Sequence, residues 1–233
     1  MLRAILFDMG GTLDGDGLHW LDRFERLYAD AGVPLPHATF RAAFDEAERQ
    51  AAVDETIAAS DLEGMVDRLV GWQFEYLFLD DPRLHRELVV RFVQPIRDTA
   101  RANARLLAGL KARGLQLGVV SNGCGNVDRL CEDLGFSSSL SIVVDSRRVG
   151  LYKPDPAIYV YASARLGLAP SSIMMVGDSF DRDVRPAKAV GMQTAWLEGP
   201  AARDCPDRAL ADVSLRALAD LPDALDRQAR IVA

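Results

Sequence analysis

The sequence predicts an α/β protein: a parallel β-sheet with helices on both faces, interrupted once by a block of helices. Three observations carry this. Short apolar runs ending on Gly or a carboxylate alternate with helical spacing from residue 101 onward, the pattern of repeated strand and helix that builds a parallel sheet. A further run of the same kind, AILF at 4–7, stands alone at the start and ends on Asp8, Gly10 and Gly11. The roughly eighty residues between these regions show helical periodicity only.

Taken in order, AILF reads as a buried strand opening into a tight turn, and DGDGL at 14–18 is turn chemistry. Four helices are then expected. Trp20, Phe24, Leu27 and Tyr28 share one face; Phe40, Ala43, Phe44 and Ala47 share another. Met65, Leu69, Trp72, Phe74, Tyr76 and Phe78 form a third segment, and 88–93 a fourth that stops before Pro95. Such aromatic faces are expected to be bundle core. Hinges fall near 14–18 and 95–100, which divides the chain into a core of 1–14 with 98–233 and an inserted helical domain of 15–97. In the second half a helix at 101–113, a strand at 115–120 ending in Ser121, Asn122 and Gly123, and a helix at 126–134 are followed by a strand at 141–145. A helix at 155–166, the strand IMMV before Gly177 and Asp178, a helix at 182–190 and the strand QTAWL come next. ALADV is a last short hydrophobic segment and 215–227 a terminal helix.

With 233 residues, 49% of them hydrophobic and 26% charged, the chain suits one large core and a smaller satellite. The net charge of −7 without a Lys/Arg cluster argues against a nucleic-acid partner. Cys124, Cys131 and Cys205 lack CxxC or Cys/His spacing, so reduced thiols and a cytoplasmic location are expected. No apolar run approaches the ~20 residues of a membrane span, and no targeting segment is expected.

Ligands of open parallel sheets bind outside the carboxyl ends of the strands. Asp8, Ser121 with Asn122, Lys153, and Asp178 with Asp183 all stand just past strand ends. Asp8 alone also suits an Asx turn; the four ends together converge on one crevice. Two or three carboxylates there repel unless a hard cation lies among them, and an oxygen-only set suits Mg²⁺. The Ser121 hydroxyl, the backbone amides of Asn122 and Gly123, and Lys153 supply donors for a phosphoryl group.

These stretches resemble the four motifs of the haloacid dehalogenase superfamily. FDMGGTL is similar to the first, VVSNG to the second, the lysine of GLYKPDPAIY to the third, and VGDSFDRDV with AVGM to the fourth. The resemblance covers the α/β part in order, and implies a Rossmann-like core with a helical cap between the first and second motifs. It also implies that Asp8 is the nucleophile, forming an aspartyl-phosphate, that Ser121 and the Asn122 amide hold phosphoryl oxygens, and that Lys153 balances charge. Mg²⁺ would be bound by Asp8, the Gly10 carbonyl, Asp178 and Asp183, while Asp181 has no counterpart and suits a helix start.

One position departs. Phosphatases of the superfamily carry a second Asp two residues after the nucleophile, as proton donor and later base; here Gly10 stands there. Loss of a general acid/base costs ~10² to 10⁴ in rate, about 3 to 5 kcal/mol. Three outcomes stay open: a substrate whose leaving group departs unprotonated, a replacement acid from Asp14, Asp16 or His19, or a protein that binds a phosphorylated ligand or partner with little turnover. A metal-independent dehalogenase is disfavoured by the retained Asp178 and Asp183, and a phosphotransferase by the missing acid. The expectation is a Mg²⁺-dependent hydrolase of a small phosphorylated metabolite; the alternative is a ligand-binding or interaction module.

Overall fold

A computed structural model describes residues 1–199 and 205–232, with side chains through residue 228. Six strands form one sheet in the order β3-β2-β1-β4-β5-β6: β1 Ala4–Phe7, β2 Gln116–Ser121, β3 Ile142–Asp145, β4 Ile173–Gly177, β5 Gln193–Leu197 and β6 Val213–Leu215. Every pairing is parallel. Successive side chains of a strand face opposite sides, so β1 sends Ile5 and Phe7 into one apolar cluster and Ala4 and Leu6 into another. The chain moves outward from β1 through β2 to β3 and then returns to the far side of β1 as β4. That reversal opens a crevice at the carboxyl end of β1.

Between β1 and β2 lie α1 Trp20–Asp30, α2 His37–Val53, α3 Leu62–Leu77 and α4 Pro82–Ala112. The helix expected to end before Pro95 and the one expected from 101 are a single helix of 31 residues, with Pro95 inside it. Proline forfeits one ladder hydrogen bond, but the buried stripe Val89, Phe92, Val93, Ile96, Ala100 and Asn103 runs straight past it. The expected boundary at 97/98 therefore falls within a continuous helix. Burial of α1, α2 and α3 follows the expected faces as far as Phe74; Tyr76, on the outer side of the last turn, and Phe78, which closes α3 in a left-handed conformation at φ 55°, are exposed instead. The apolar core of this helical insert is continuous with one face of the sheet.

In the second half α5 Val127–Asp133, the short α6 Ser146–Val149, α7 Ala157–Leu166, α8 Arg185–Ala189 and α9 Leu221–Val232 complete the fold. β6 begins only at the last residue of ALADV, because Asp212 is occupied in accepting from the Thr194 amide at 2.8 Å and pairing with Lys188. The terminal helix starts later than expected, since Ser214 and Leu215 belong to β6 and Asp220 accepts from the Ala217 amide ahead of the helix. Residue 233, the end of the core assignment, lies outside the described residues. Among the described residues no helix is long and apolar enough to cross a membrane.

Candidate active site

Phe7 is in register with Val119 on one side and Val176 on the other, so Asp8 leaves the sheet at the crevice, its amide donating to the Val176 carbonyl at 2.9 Å. The turn that follows brings Gly11 against β4. A Cβ on Gly11 would stand 2.8 Å from an Asp178 carboxylate oxygen, at a φ of +88°, so only glycine fits there. Thr12 closes the same contact: its hydroxyl donates to Asp178 Oδ1 at 3.0 Å and accepts from the Asp178 amide at 3.1 Å. Asp183 arrives from a single helical turn after β4, Phe180–Val184, and its Oδ2 accepts from the Ser179 amide at 3.0 Å.

Lys153 ties the two sides together. Its Nζ donates to Asp8 Oδ1 at 2.6 Å and Asp183 Oδ1 at 2.7 Å, with all three side chains buried. Burial opposes the ammonium charge, but Asp183 and Asp8 overcome it and hold the lysine protonated. Asp8, Asp178 and Asp183 each offer a carboxylate oxygen within 4.8 Å of the others. Three carboxylates against one ammonium leave excess negative charge out of water. Burial first, then the neighbouring carboxylates, push the acids of Asp178 and Asp183 upward. A small hard dication among these oxygens relieves that repulsion, and the all-oxygen donor set fits one.

The loop after β2 is built from both neighbours. Ser121 is buried at the strand end, in register with Asp145. The Asn122 side chain accepts from the Lys153 amide at 2.8 Å and donates to the Lys153 carbonyl at 2.9 Å, which fixes the loop carrying that lysine. Asp145 accepts from the amides of Gly125 and Val127, at 2.9 and 3.1 Å, and holds the loop against the start of α5. The Gly123 amide donates to Ser146 Oγ at 3.1 Å; this bond already uses one of the two amides expected to face a phosphoryl group. Thr12 and Asp145 escaped the sequence reading because their partners lie 166 and 18 to 20 residues away.

Asp8, Ser121, Asn122, Gly123 and Lys153 line one cavity of about 280 Å³, together with Gly10, Asp14 and His19. The insert closes it with Phe44, Met65 and Leu69, and Arg182 stands at the same cavity. The three substitute acids separate here. Asp16 is turned away: its Oδ1 accepts from the Leu218 amide at 2.5 Å. His19 begins α1; its Nδ1 accepts from the Leu21 amide at 3.2 Å and its Nε2 faces Arg182 Nη2 at 3.0 Å. Burial and that guanidinium hold the imidazole below its usual pKa. Asp14 is 1% exposed. Its Oδ1 accepts from the Gly11 amide at 2.7 Å and its Oδ2 from the Trp20 indole at 2.6 Å. Burial pushes its acid up to about 6 despite Arg23 nearby. Asp181 is exposed and paired with Arg185 at 3.1 Å.

Sheet order, strand-end carboxylates and a helical insert after the first strand define a haloacid dehalogenase-type hydrolase. Residues 2–191 match the haloacid dehalogenase-like hydrolase family, and the chain belongs to it. It is 30% identical over 214 residues to a phosphoserine phosphatase of Thermus thermophilus, covering 84% of this chain and 81% of that protein. Among solved structures it superposes on a phosphatase of this family from Thermococcus onnurineus with a TM-score of 0.59 at 25% identity, covering 96% of this chain and 98% of that one. A 2-haloacid dehalogenase of Pseudomonas syringae shares the fold, with a TM-score of 0.54 at 20% identity over 98% of this chain and 100% of that one.

Proposed function

We propose that the chain is a Mg²⁺-dependent phosphatase that cleaves a small phosphorylated metabolite through an aspartyl-phosphate on Asp8. The observation that carries this is the buried bridge from Asp8 through Lys153 to Asp183, with Asp178 beside it. Lys153 Nζ, 2.6 Å from Asp8 Oδ1, orients that carboxylate and balances its charge, as a carboxylate nucleophile requires. The Ser121 hydroxyl and the Asn122 amide are assigned to phosphoryl oxygens, and Asn122 also positions Lys153 through its side chain. Asp8, the Gly10 carbonyl, Asp178 and Asp183 would hold Mg²⁺, which when bound stabilises charge developing on the phosphoryl group. In this reading the helical insert is a cap, residues 15–97, that excludes water and selects the organic part of the substrate against an apolar wall. The absence of a basic tract in the sequence supports a small substrate rather than a nucleic acid, and the unpaired pattern of the three cysteines supports a cytoplasmic setting.

Gly10 favours a second reading, a module that binds a phosphorylated ligand with little turnover. Phosphate release from acetyl phosphate with and without Mg²⁺, by wild type and Asp8→Asn, separates the two. The phosphatase reading expects Mg²⁺-dependent release that falls at least ~10⁴-fold in Asp8→Asn, the scale of removing a covalent nucleophile, and a Mg²⁺-induced rise in melting temperature that Asp178→Asn abolishes. No release by wild type, or equal release by Asp8→Asn, overturns it.

A further inference from the structure

We infer that Asp14 is the general acid and base of this enzyme, taking the place vacated at Gly10, and that Trp20 is its positioning residue. The inference rests on the phosphatase reading and deepens it. Among the described residues a Cβ built on Gly10 meets Trp20 alone, with Nε1 at 3.9 Å and Cδ1 at 4.0 Å. That indole nitrogen is the one bonded to Asp14 Oδ2 at 2.6 Å. The space a side chain at position 10 would enter thus adjoins the Asp14–Trp20 pair, and Gly10, Trp20 and Asp14 line the same cavity as Asp8. A carboxyl two residues after the nucleophile is replaced by one six residues after it.

The flap is held to present this group. The Gly11 amide fixes Oδ1 at 2.7 Å, Arg23 donates to the Asp14 carbonyl at 3.1 Å, and Asn103 of α4 donates to the Leu13 carbonyl at 2.8 Å. Beyond it, Gly17 and Gly199 pack backbone to backbone with no room for a Cβ on either. Each carboxyl oxygen has two acceptor sites, so a protonated Asp14 keeps both N–H bonds and still offers its O–H. The other two acids of the flap do not serve: Asp16 faces Leu218, and His19 is ringed by donors.

The proton balance closes over two steps. As Asp8 bonds to phosphorus and the ester P–O bond breaks, Asp14 gives its proton to the leaving oxygen, directly or through one water. As water then bonds to phosphorus and the Asp8–phosphorus link breaks, Asp14 takes a proton from that water, releasing phosphate and restoring the acid. Charged groups facing Asp14 are Arg23 from α1 and Asp8 from the end of β1.

The test is kcat/KM for an alkyl phosphate and for acetyl phosphate, because that ratio reports the first step alone. Asp14→Asn is expected to lose ~10² to 10⁴-fold on the alkyl ester and less than about threefold on acetyl phosphate, whose leaving group needs no proton. Gly10→Asp in the Asp14→Asn background is expected to recover alkyl turnover. Trp20→Phe keeps the ring but removes a donor to the carboxylate, and is expected to move the alkaline limb of the alkyl profile to higher pH. Equal losses on both substrates, or an unmoved limb in a folded Trp20→Phe, overturn the assignment; if Asp14→Asn does not fold, the Trp20→Phe profile decides alone. Failure of acetyl phosphate hydrolysis by wild type defeats the phosphatase reading instead, independently of Asp14.

Discussion

On the sheet side of the cavity Asp8 from the end of β1, Lys153 from the loop between β3 and α7, and Asp183 from the turn after β4 are bonded into one buried ionic unit. On the insert side the wall is largely apolar, built by Phe44, Met65 and Leu69 with Glu48 of α2 as its acidic member, and is joined to the sheet side by side-chain bonds such as those of Arg147. Charge fixed in a rigid frame serves a reaction whose geometry must not vary. An apolar wall with few polar ties can change its residues to suit another substrate without disturbing that frame.

Lys153→Met tests whether the sheet side is one unit, and carries the largest stability effect expected. It leaves three buried carboxylates without their ammonium, and removing one partner of a buried pair typically costs about 3 to 5 kcal/mol. The acids of Asp178 and Asp183 already lie above their usual range in the folded state, and loss of the cation raises them further. A raised carboxyl pKa gives stability that is present at low pH and lost as pH rises through the folded value, so the variant should be closer to wild type at pH 5 than at pH 8. Urea denaturation at both values checks this, and a pH-independent deficit would break the picture of a charge-coupled cluster.

Asp14 sits at the seam of the two regions, and its titration sharpens the contrast. Its folded acid lies at about 6 against 3.8 for an ordinary Asp. The folded state holds the proton more tightly, so stability contributed by the neutral acid falls as pH rises from about 4 through 6. The difference corresponds to about 3 kcal/mol. Asp14→Asn lacks this loss and should gain on wild type by about 2 kcal/mol between pH 4.5 and 7.5, the part of the titration which that window covers. A constant gap would mean that Asp14 is ionised throughout, and the proton donor would have to be sought elsewhere.

The sheet side was legible in the sequence because Asp8, Ser121 and Asp178 follow apolar runs directly, while Lys153, in the loop after the third strand, was singled out by its motif GLYKPDPAIY. The insert was legible as helices, since its spacing is local too, but the continuity of α4 through Pro95 was not. A proline weighs against a helix locally, while the buried stripe from Val89 to Asn103 that outweighs it depends on tertiary packing. The same limit hid Thr12, Asp145 and Trp20. Their partners are set by which strands neighbour and where the flap folds back, and Asp14 could be separated from Asp16 and His19 only after each side chain's partner was known.

Arg147 gives the smallest expected effect and bears directly on how the insert is held. Its Nη1 lies 3.3 Å from the Ala51 carbonyl, 3.0 Å from that of Asp54 and 2.9 Å from that of Cys124. The first two end α2 of the insert, where unpaired carbonyls and the helix dipole favour a cation; the third follows the loop after β2. One guanidinium therefore ties the apolar wall to the phosphoryl end of the cavity. Arg147→Ala removes these bonds from a partly buried site and should cost about 1 to 2 kcal/mol. If the ties are what hold the wall, amide exchange should rise at 51–57 while the strand ends keep their protection, and KM should rise more than kcat falls. Unchanged exchange would show that the apolar contacts of Ala51 and Ile57 alone seat the insert, and the two walls would then be joined by packing rather than by bonds.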